Sequence, residues 1–256
     1  MIKNFRIISR LEVKSDYVVK GMRMEGLRKI STPEKLAGTY YENKFDEIFY
    51  DDIVASLYNR PININLVKSV SNKISIPLTA AGRVAKIKDF YNLFNNGIDK
   101  VSLNSAAVFN PKIINDAAKI FGSQSIVCHI QYKNLIDDEK NPEIFYENGR
   151  SRAYIKLFEW INRIQSEGAG EIYLFSIDND GIDYPIDFHI LEKARDISKV
   201  PIIYGGGVNS LNIIEKLISI GFDGVTISAA AHFNKINIIN IKKNLAKKYK
   251  NINFNL

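Results

Sequence analysis

Short runs of apolar, β-branched residues alternate along this chain with longer segments in which apolar residues recur every three to four positions. The short runs predict buried strands and the longer segments predict amphipathic helices. A regular alternation of the two is typical of a parallel sheet, either closed into a barrel or open and doubly wound. The predicted strands are Phe5–Val13, Glu47–Tyr50, Ile76–Thr79, Lys100–Leu103, Ser125–Ile130, Glu171–Phe175, Ile202–Tyr204 and Gly224–Ile227, and the predicted helices include Lys86–Asn95, Pro111–Phe121, Ala153–Ser166, Ile190–Ser198 and Ser210–Ile220.

An internal repeat favours the closed barrel over the open sheet. When Pro77 is placed on Pro201, a shift of 124 positions, many further residues coincide without a gap. Two similar halves of four βα units each predict a (β/α)8 TIM barrel with two-fold internal symmetry. Because no linker is apparent, we expect residues 1–256 to form one domain. The coinciding pairs include Gly82 with Gly206, Val84 with Val208, Gly97 with Gly221, Asp99 with Asp223, Ala106 with Ala230, Phe109 with Phe233 and Glu47 with Glu171.

Composition excludes several classes of function. The 256 residues include one cysteine, Cys128, which cannot form an internal disulfide, so we expect a reducing, cytoplasmic location. No apolar stretch approaches the roughly 20 residues that span a bilayer. The net charge is +7, but the lysines are scattered, so we expect no nucleic-acid binding. His189 and His232 lack metal-ligand spacing, and we expect neither a metal nor a cofactor.

In each half of the chain, two successive predicted strands end in small residues. Small residues allow backbone N–H groups to approach a phosphate closely, and the helix that follows adds its positive N-terminal end. Tight strand-to-helix turns would also require glycine, but the duplication favours a ligand with a phosphate at each end. The predicted phosphate-binding residues are Gly82, Asn104 and Ser105 in the first half, and Gly206, Gly207, Ser228 and Ala229 in the second.

Several longer stretches resemble the family of cyclase subunits of imidazole glycerol phosphate synthase, from about Arg6 to Phe233. They are Val18-Val19-Lys20-Gly21, residues 99–108, Phe121-Gly122-Ser123-Gln124, residues 168–172 and residues 176–181. The resemblance implies a heterodimer with a glutaminase subunit, an ammonia path through the barrel, and a phosphorylated small molecule bound where the strands end. It further implies an ammonia gate formed by Arg6, Glu47, Lys100 and Glu171, and a partner contact that involves Asp99 and Gln124.

The positions that match the family's catalytic residues depart from its pattern. The family uses two aspartates, at the ends of strands one and five, as general acid and base. Here Glu12 and Gln131 occupy these positions, whereas a third acid, Asp180, is kept. Glutamate displaces the carboxyl group by one methylene, and the amide of glutamine transfers no proton near neutral pH. Ile182 also replaces a small hydroxyl residue of the family.

The two-residue period of a strand predicts what fills the barrel interior, here called the lumen. If Arg6 and Glu12 point inward, Arg10 does too, and the same parity places Asp51 and His129 in the lumen. Because a buried guanidinium must be paired, we predict an ion pair between Arg10 and Asp51, which His129 could join. Tyr173 and Phe175 should narrow the lumen further.

Three functions remain open from the sequence. The chain could be a working cyclase (a lyase) of histidine biosynthesis. It could instead be a relative that keeps the glutaminase and the ammonia path but supplies ammonia for a surface-sugar or nonulosonate precursor, which Gln131 favours. It could also be a non-catalytic subunit that activates the glutaminase. A barrel isomerase of the same family is less favoured, because it also requires paired aspartates.

Overall fold

The computed structural model describes residues 3–135 and 138–255, in which eight parallel strands close into a barrel. The last strand pairs with the first through Gly224 and Arg6, so the open sheet is excluded and the predicted (β/α)8 fold is confirmed. The strands are β1 (Arg6–Lys14), β2 (Glu47–Asp52), β3 (Leu78–Ala81), β4 (Lys100–Leu103), β5 (Ile126–Leu135), β6 (Glu171–Ser176), β7 (Ile202–Gly205) and β8 (Gly224–Ile227).

Helices surround the barrel and bury their apolar faces against the outer faces of the strands. This outer layer contains strand residues such as Ile7, Leu11 and Ile48, which alternate with inward-facing residues. Within the described residues, no helix is both long enough and apolar enough to cross a membrane. The helices are α1 (Pro33–Glu42), α2 (Ile64–Ser71), α3 (Ile87–Phe94), α4 (Ser105–Phe109), α5 (Lys112–Phe121), α6 (Leu157–Ser166), α7 (Phe188–Ile197), α8 (Leu211–Ile220), α9 (Ala229–His232) and α10 (Ile238–Lys248).

The backbone repeats between the two halves at the shift that the sequence indicates. Asn104 and Ser228, which precede the short helices α4 and α9, have nearly the same unusual backbone angles, φ −127° and ψ −88° against φ −122° and ψ −83°. Asp99 accepts a hydrogen bond from the backbone N–H of Leu78 at 2.8 Å, and Asp223 accepts one from Ile202 at 2.9 Å. The repeat therefore extends from sequence to local geometry.

Two antiparallel hairpins follow β1 and β5, and the sequence did not predict them. Strands Tyr17–Met22 and Glu25–Ser31 form the first, and strands Asp138–Tyr146 and Ser151–Lys156 form the second. The predicted helix Ala153–Ser166 was wrong at its start, because residues 153–156 pair as a strand and helix α6 begins at Leu157. Both hairpins lie at the end of the barrel where the strands finish, here called the mouth.

Candidate functional site

A ring of four charged side chains closes the opposite end of the barrel, here called the floor. Arg6 donates hydrogen bonds to Glu47 at 2.8 Å and to Glu171, and Lys100 donates to the same two acids at 2.8 and 3.0 Å. The structure therefore brings the four predicted gate residues together in one ring of ion pairs. Burial raises the pKa of Glu171, but Arg6 and Lys100 more than offset this and hold the pKa below its ordinary value. The ring can open only if these ion pairs break.

Two predicted partner-contact residues lie at the floor end of the barrel, just before β4 and β5. Asp99 and Gln124 are both exposed, as a docking surface requires. Asp99 also has a structural use, since it accepts the hydrogen bond from Leu78 that ties β4 to β3. Their contact with a partner remains a prediction.

The lumen above the ring contains a buried ion pair. The guanidinium of Arg10 donates to the carboxylate of Asp51 from Nη2 at 2.7 Å and from Nε at 3.2 Å, and this confirms the predicted pair. A second acid, Glu12, lies 3.4 Å from Nη1 of Arg10. The guanidinium carbon lies 4.2 Å from the ring centre of Phe175. Arg10 is fully buried, so its charge depends on these neighbours for compensation.

Aromatic rings fill much of the remaining lumen. His129 stacks on Tyr173, with ring centres 4.4 Å apart, and meets Phe49 and Phe175 edge-on. Within the described chain, His129 forms no hydrogen bond with Arg10 or Asp51, so its suggested participation in that pair is not observed. Tyr173 and Phe175 narrow the lumen as predicted, since both are buried inside it.

A lysine from the first hairpin joins two acids at the mouth. Lys20 donates to Glu12 at 2.5 Å and to Asp180, and Asp180 also accepts from the backbone N–H of Met24 at 3.0 Å. Burial lowers the pKa of Lys20, but the two carboxylates outweigh burial and raise it. Lys20 lay in the family-like stretch Val18–Gly21, which was the sequence signal for its importance, but its partners were not predicted.

The amide at the end of β5 is fixed in place. Gln131 is buried, and its Oε1 accepts a hydrogen bond from the backbone N–H of Gly149 at 2.8 Å. Three carboxylates, Asp51, Asp52 and Glu147, border the same pocket as Gln131. Asp52 is paired with Arg60 at 2.8 Å. Asp51 is paired with Arg10, and Glu147 accepts a hydrogen bond from the hydroxyl of Ser151 at 2.7 Å.

Among the pockets at the mouth, two correspond to each other, one in each half of the barrel. The first has a volume of about 440 Å³ and the second of about 320 Å³. The predicted phosphate-binding residues divide between them as expected: Gly82, Asn104 and Ser105 border the first, and Gly206, Gly207, Ser228 and Ala229 border the second.

Each pocket also contains a cation that the sequence did not single out. Arg83 borders the first pocket and Lys235 borders the second. Arg83 corresponds to Gly207 in the repeat and keeps a positive φ of 41°, an uncommon value for a residue with a side chain. This mismatch in the repeat was a signal that could have identified Arg83.

Fold and site together define a (β/α)8 barrel of two similar halves, with a charged floor and corresponding pockets at the mouth of the two halves. Residues 6–237 match the family described as "Histidine biosynthesis protein", and the chain belongs to that family. It is 36% identical over 240 residues to the imidazole glycerol phosphate synthase subunit HisF of Wolinella succinogenes, and the match covers 94% of each chain. HisF subunits from two strains of Bacillus cereus are 36% and 37% identical over 241 residues, covering 94% of this chain and 95% of theirs. The chain is HisF-like, which confirms the resemblance seen in its motifs.

Proposed function

We propose that this HisF-like barrel pairs with a glutaminase and conducts ammonia, and that it supplies this ammonia to a surface-sugar or nonulosonate precursor instead of closing an imidazole ring. The observation that carries the proposal is Gln131, which stands where the family places a catalytic aspartate and is held there by Gly149. A fixed amide neither gives nor takes a proton near neutral pH.

The second catalytic position supports the same conclusion. Glu12 keeps a carboxyl group, but Lys20 binds it at 2.5 Å and Arg10 lies 3.4 Å away. Each oxygen of this carboxylate faces a buried cation, so neither oxygen is free to exchange a proton with a substrate. Loss of one positioned proton-transfer group typically costs about 10²–10⁴-fold in rate, and here two are impaired.

Ammonia delivery makes smaller chemical demands, and the floor supports it. The ring of Arg6, Glu47, Lys100 and Glu171 keeps alternating charges that pair and can separate. Exposed Asp99 and Gln124 lie at the same end of the barrel as this ring, where a glutaminase would dock. Floor and pockets are thus kept, whereas the proton-transfer groups are changed.

A working cyclase is the second candidate, and two observations favour it. The chain is 36–37% identical to HisF subunits over nearly its whole length. Glu147 also brings a carboxylate to the pocket that Gln131 borders, so a proton-transfer group is present nearby. If Glu147 replaced the missing aspartate, the Glu147→Gln variant would lose the activity.

Complementation of a histidine auxotroph that lacks its cyclase subunit separates the two candidates. We expect no growth from the unaltered chain, even when it is expressed with the host's glutaminase subunit and in medium rich in ammonium. A Gln131→Asp variant, tested alongside, restores the proton-transfer group at that position. Growth with the unaltered chain would refute the change of function and support the cyclase.

Lys100→Ala separates ammonia delivery from mere activation of the glutaminase. Loss of Lys100 leaves Glu47 and Glu171 with Arg6 as their remaining cation in the ring. Under our proposal, this variant reduces the amination of the sugar product, which mass spectrometry of surface sugars measures. Unchanged amination would indicate a non-catalytic activating subunit.

A further inference from the structure

The loops that follow β2 and β6 correspond to each other in the internal repeat. At the 124-residue shift, residues 61–63, Pro-Ile-Asn, coincide with residues 185–187, Pro-Ile-Asp. Asn63 and Asp187 both cap the helix that follows, and each accepts a hydrogen bond at 3.3 Å from the backbone N–H three positions on. Their backbone angles also agree, φ −76° and ψ 97° against φ −78° and ψ 92°. The side chains of the two loops can therefore be compared position by position.

An ion pair stabilises the first of these loops, but both of its residues are replaced in the second. Arg60 donates two hydrogen bonds to the carboxylate of Asp52, at 2.8 and 2.9 Å. The equivalent residues in the second loop are Tyr184 and Ser176. Tyr184 is 53% exposed, and Ser176 donates instead to Asn179 at 2.7 Å. The second loop thus lacks the pair of guanidinium and carboxylate that the first contains.

A pocket of about 370 Å³ borders both replaced residues and is here called the outer pocket. Tyr132 and Ser176, which are register partners at the ends of β5 and β6, both border it. They face away from the lumen, because successive residues of a strand point to opposite sides and Phe175 points inward. Among the described residues, none borders both the outer pocket and either of the other two pockets. The outer pocket is therefore a separate site.

Buried hydrogen bonds fix the shape of the outer pocket. Asn179 is buried, and its Nδ2 donates to the carbonyl oxygens of Tyr184 at 2.8 Å and Pro185 at 3.1 Å. Asp178 accepts a hydrogen bond from the backbone N–H of Asn134 at 2.8 Å, which ties the loop to β5. Because these bonds hold the loop in place, little ordering opposes the binding of a small ligand.

The outer pocket combines acceptor oxygens with one guanidinium. Asp178 and Asp187 border it, and backbone N–H groups engage Oδ2 of Asp178 and Oδ1 of Asp187. Within the described chain, each carboxylate keeps its second oxygen for a ligand. Oδ1 of Asn134 is buried without a hydrogen-bond partner among residues 3–135 and 138–255. Arg23, which is exposed, borders the same pocket, and its guanidinium carbon lies 5.8 Å from the ring centre of Tyr184.

We propose that the outer pocket binds a free α-amino acid by its charged head group. An ammonium group has three N–H donors, which match the acceptor oxygens of Asp178, Asp187 and Asn134. The carboxylate of the amino acid pairs with Arg23, whose planar guanidinium can bind two oxygens at once. In the first half, Arg60 already supplies the cation for the equivalent loop. Since the outer pocket faces away from the lumen, this inference does not depend on the glutaminase or on ammonia.

A bound amino acid joins the first hairpin to the loop after β6. Arg23 lies in the turn of that hairpin, and its backbone N–H donates to the carbonyl oxygen of Asp180 at 2.7 Å. The next N–H, that of Met24, donates to the carboxylate of Asp180 at 3.0 Å. Opening of the hairpin breaks both bonds and removes Arg23 from the site. At a ligand concentration about ten times Kd, hydrogen exchange at these two amides should slow about tenfold.

NMR titration of the isotopically labelled, full-length chain with L-alanine or L-glutamine tests the site. We expect saturable shifts of the backbone amides of Arg23 and of residues 176–187. N-acetyl-L-alanine lacks the ammonium group and L-alaninamide lacks the carboxylate, so each should bind at least about tenfold more weakly than L-alanine. Amino acids that shift none of these amides, or blocked forms that bind as well as L-alanine, would overturn the proposal.

Two sets of variants locate the site on the chain. Arg23→Gln should weaken binding at least about tenfold, whereas Arg28→Gln changes an exposed arginine of the same hairpin away from the outer pocket and should leave binding unaltered. The double variant Ser176→Asp with Tyr184→Arg rebuilds the ion pair of the first loop and should fill the pocket. We expect it to abolish both binding and the slowed exchange, and unchanged NMR resonances outside the loop verify its fold. Undiminished binding in the double variant, or equal binding by Arg23→Gln and Arg28→Gln, would refute this site.

Discussion

Breaking the buried pair between Arg10 and Asp51 should destabilise the protein strongly, and the costs of the two single substitutions should not add in the double variant. The pair lies in the lumen, where the Arg10 side chain is 0% and the Asp51 side chain 9% exposed. The informative changes are Asp51→Ala, Arg10→Met and the double variant. Each single change leaves one charge without its closest partner, whereas the double change removes both charges together.

The structure predicts unequal costs for the two single changes. Removing one partner of a buried pair typically costs about 3–5 kcal/mol. The cost of Asp51→Ala should lie near the lower limit of this range, about 3 kcal/mol, because Glu12 remains 3.4 Å from the guanidinium that has lost Asp51. Arg10→Met should cost about 2 kcal/mol, since Asp51 borders the first pocket and can be hydrated there. The double variant should be no less stable than Asp51→Ala, which gives a coupling energy of about 2 kcal/mol.

Urea unfolding followed by circular dichroism measures all three variants at one pH. The surface pair between Lys248 and Glu215 provides the control, and Lys248→Met should leave the stability nearly unchanged, since water screens an exposed pair. Costs that simply add in the double variant, or an Asp51→Ala cost below about 1 kcal/mol, would refute the view that the pair compensates buried charge.

Two further predictions concern acid sensitivity and the second pocket. Burial, with the charge of Lys20, lowers the pKa of His232 from 6.5 to about 3, so the unfolded chain binds a proton that the folded chain does not. The stability that the neutral His232 side chain contributes is fully present above pH 6.5 and is lost as the pH falls toward 3. We therefore expect the protein to be about 1–2 kcal/mol less stable at about pH 5. Urea titrations at several pH values should show a shallower loss of stability for His232→Phe. Gly206→Ala should destabilise by more than about 1 kcal/mol and abolish phosphate binding at the second pocket in calorimetric titrations, because φ is +100° and the new methyl would lie 2.5 Å from the carbonyl oxygen of Ser176. Gly38→Ala, a helical site with nothing within 4 Å, should bind phosphate normally, and a Gly206→Ala variant that did the same would contradict the assignment.

The fold could be predicted because its evidence is local and repeated. Periodicity located the eight barrel strands, and the 124-residue shift selected the closed barrel. The Arg10–Asp51 pair was also predictable, because strand parity fixes which side chains share the lumen and a buried guanidinium needs an acid. In these cases a general rule determines the contact without knowledge of the loops.

Contacts made by the hairpins could not be predicted in the same way. Lys20 reaches Asp180 across 160 positions, and Gly149 reaches Gln131 from the turn of the second hairpin. Both depend on how far an irregular segment folds back over the mouth, which neither parity nor the repeat specifies. The same reason explains the error at Ala153, where a strand that pairs only through its hairpin resembled the start of an amphipathic helix.

The two halves of the barrel share a backbone but differ where their side chains enter the lumen. Arg10 pairs in register with Phe49, and His129 pairs with Tyr173, so Arg10 and His129 occupy equivalent positions in the two halves. Ser102 and Thr226, 124 positions apart, are likewise equivalent, but Tyr173 binds the hydroxyl of Thr226, whereas that of Ser102 has no partner among the described residues. A symmetric ligand with two phosphates would favour equal halves. The asymmetry instead places the Tyr173 hydroxyl against Thr226 at the second pocket and leaves the buried Ser102 hydroxyl, which borders the first pocket, without a partner among the described residues, so the two halves offer a ligand different polar groups.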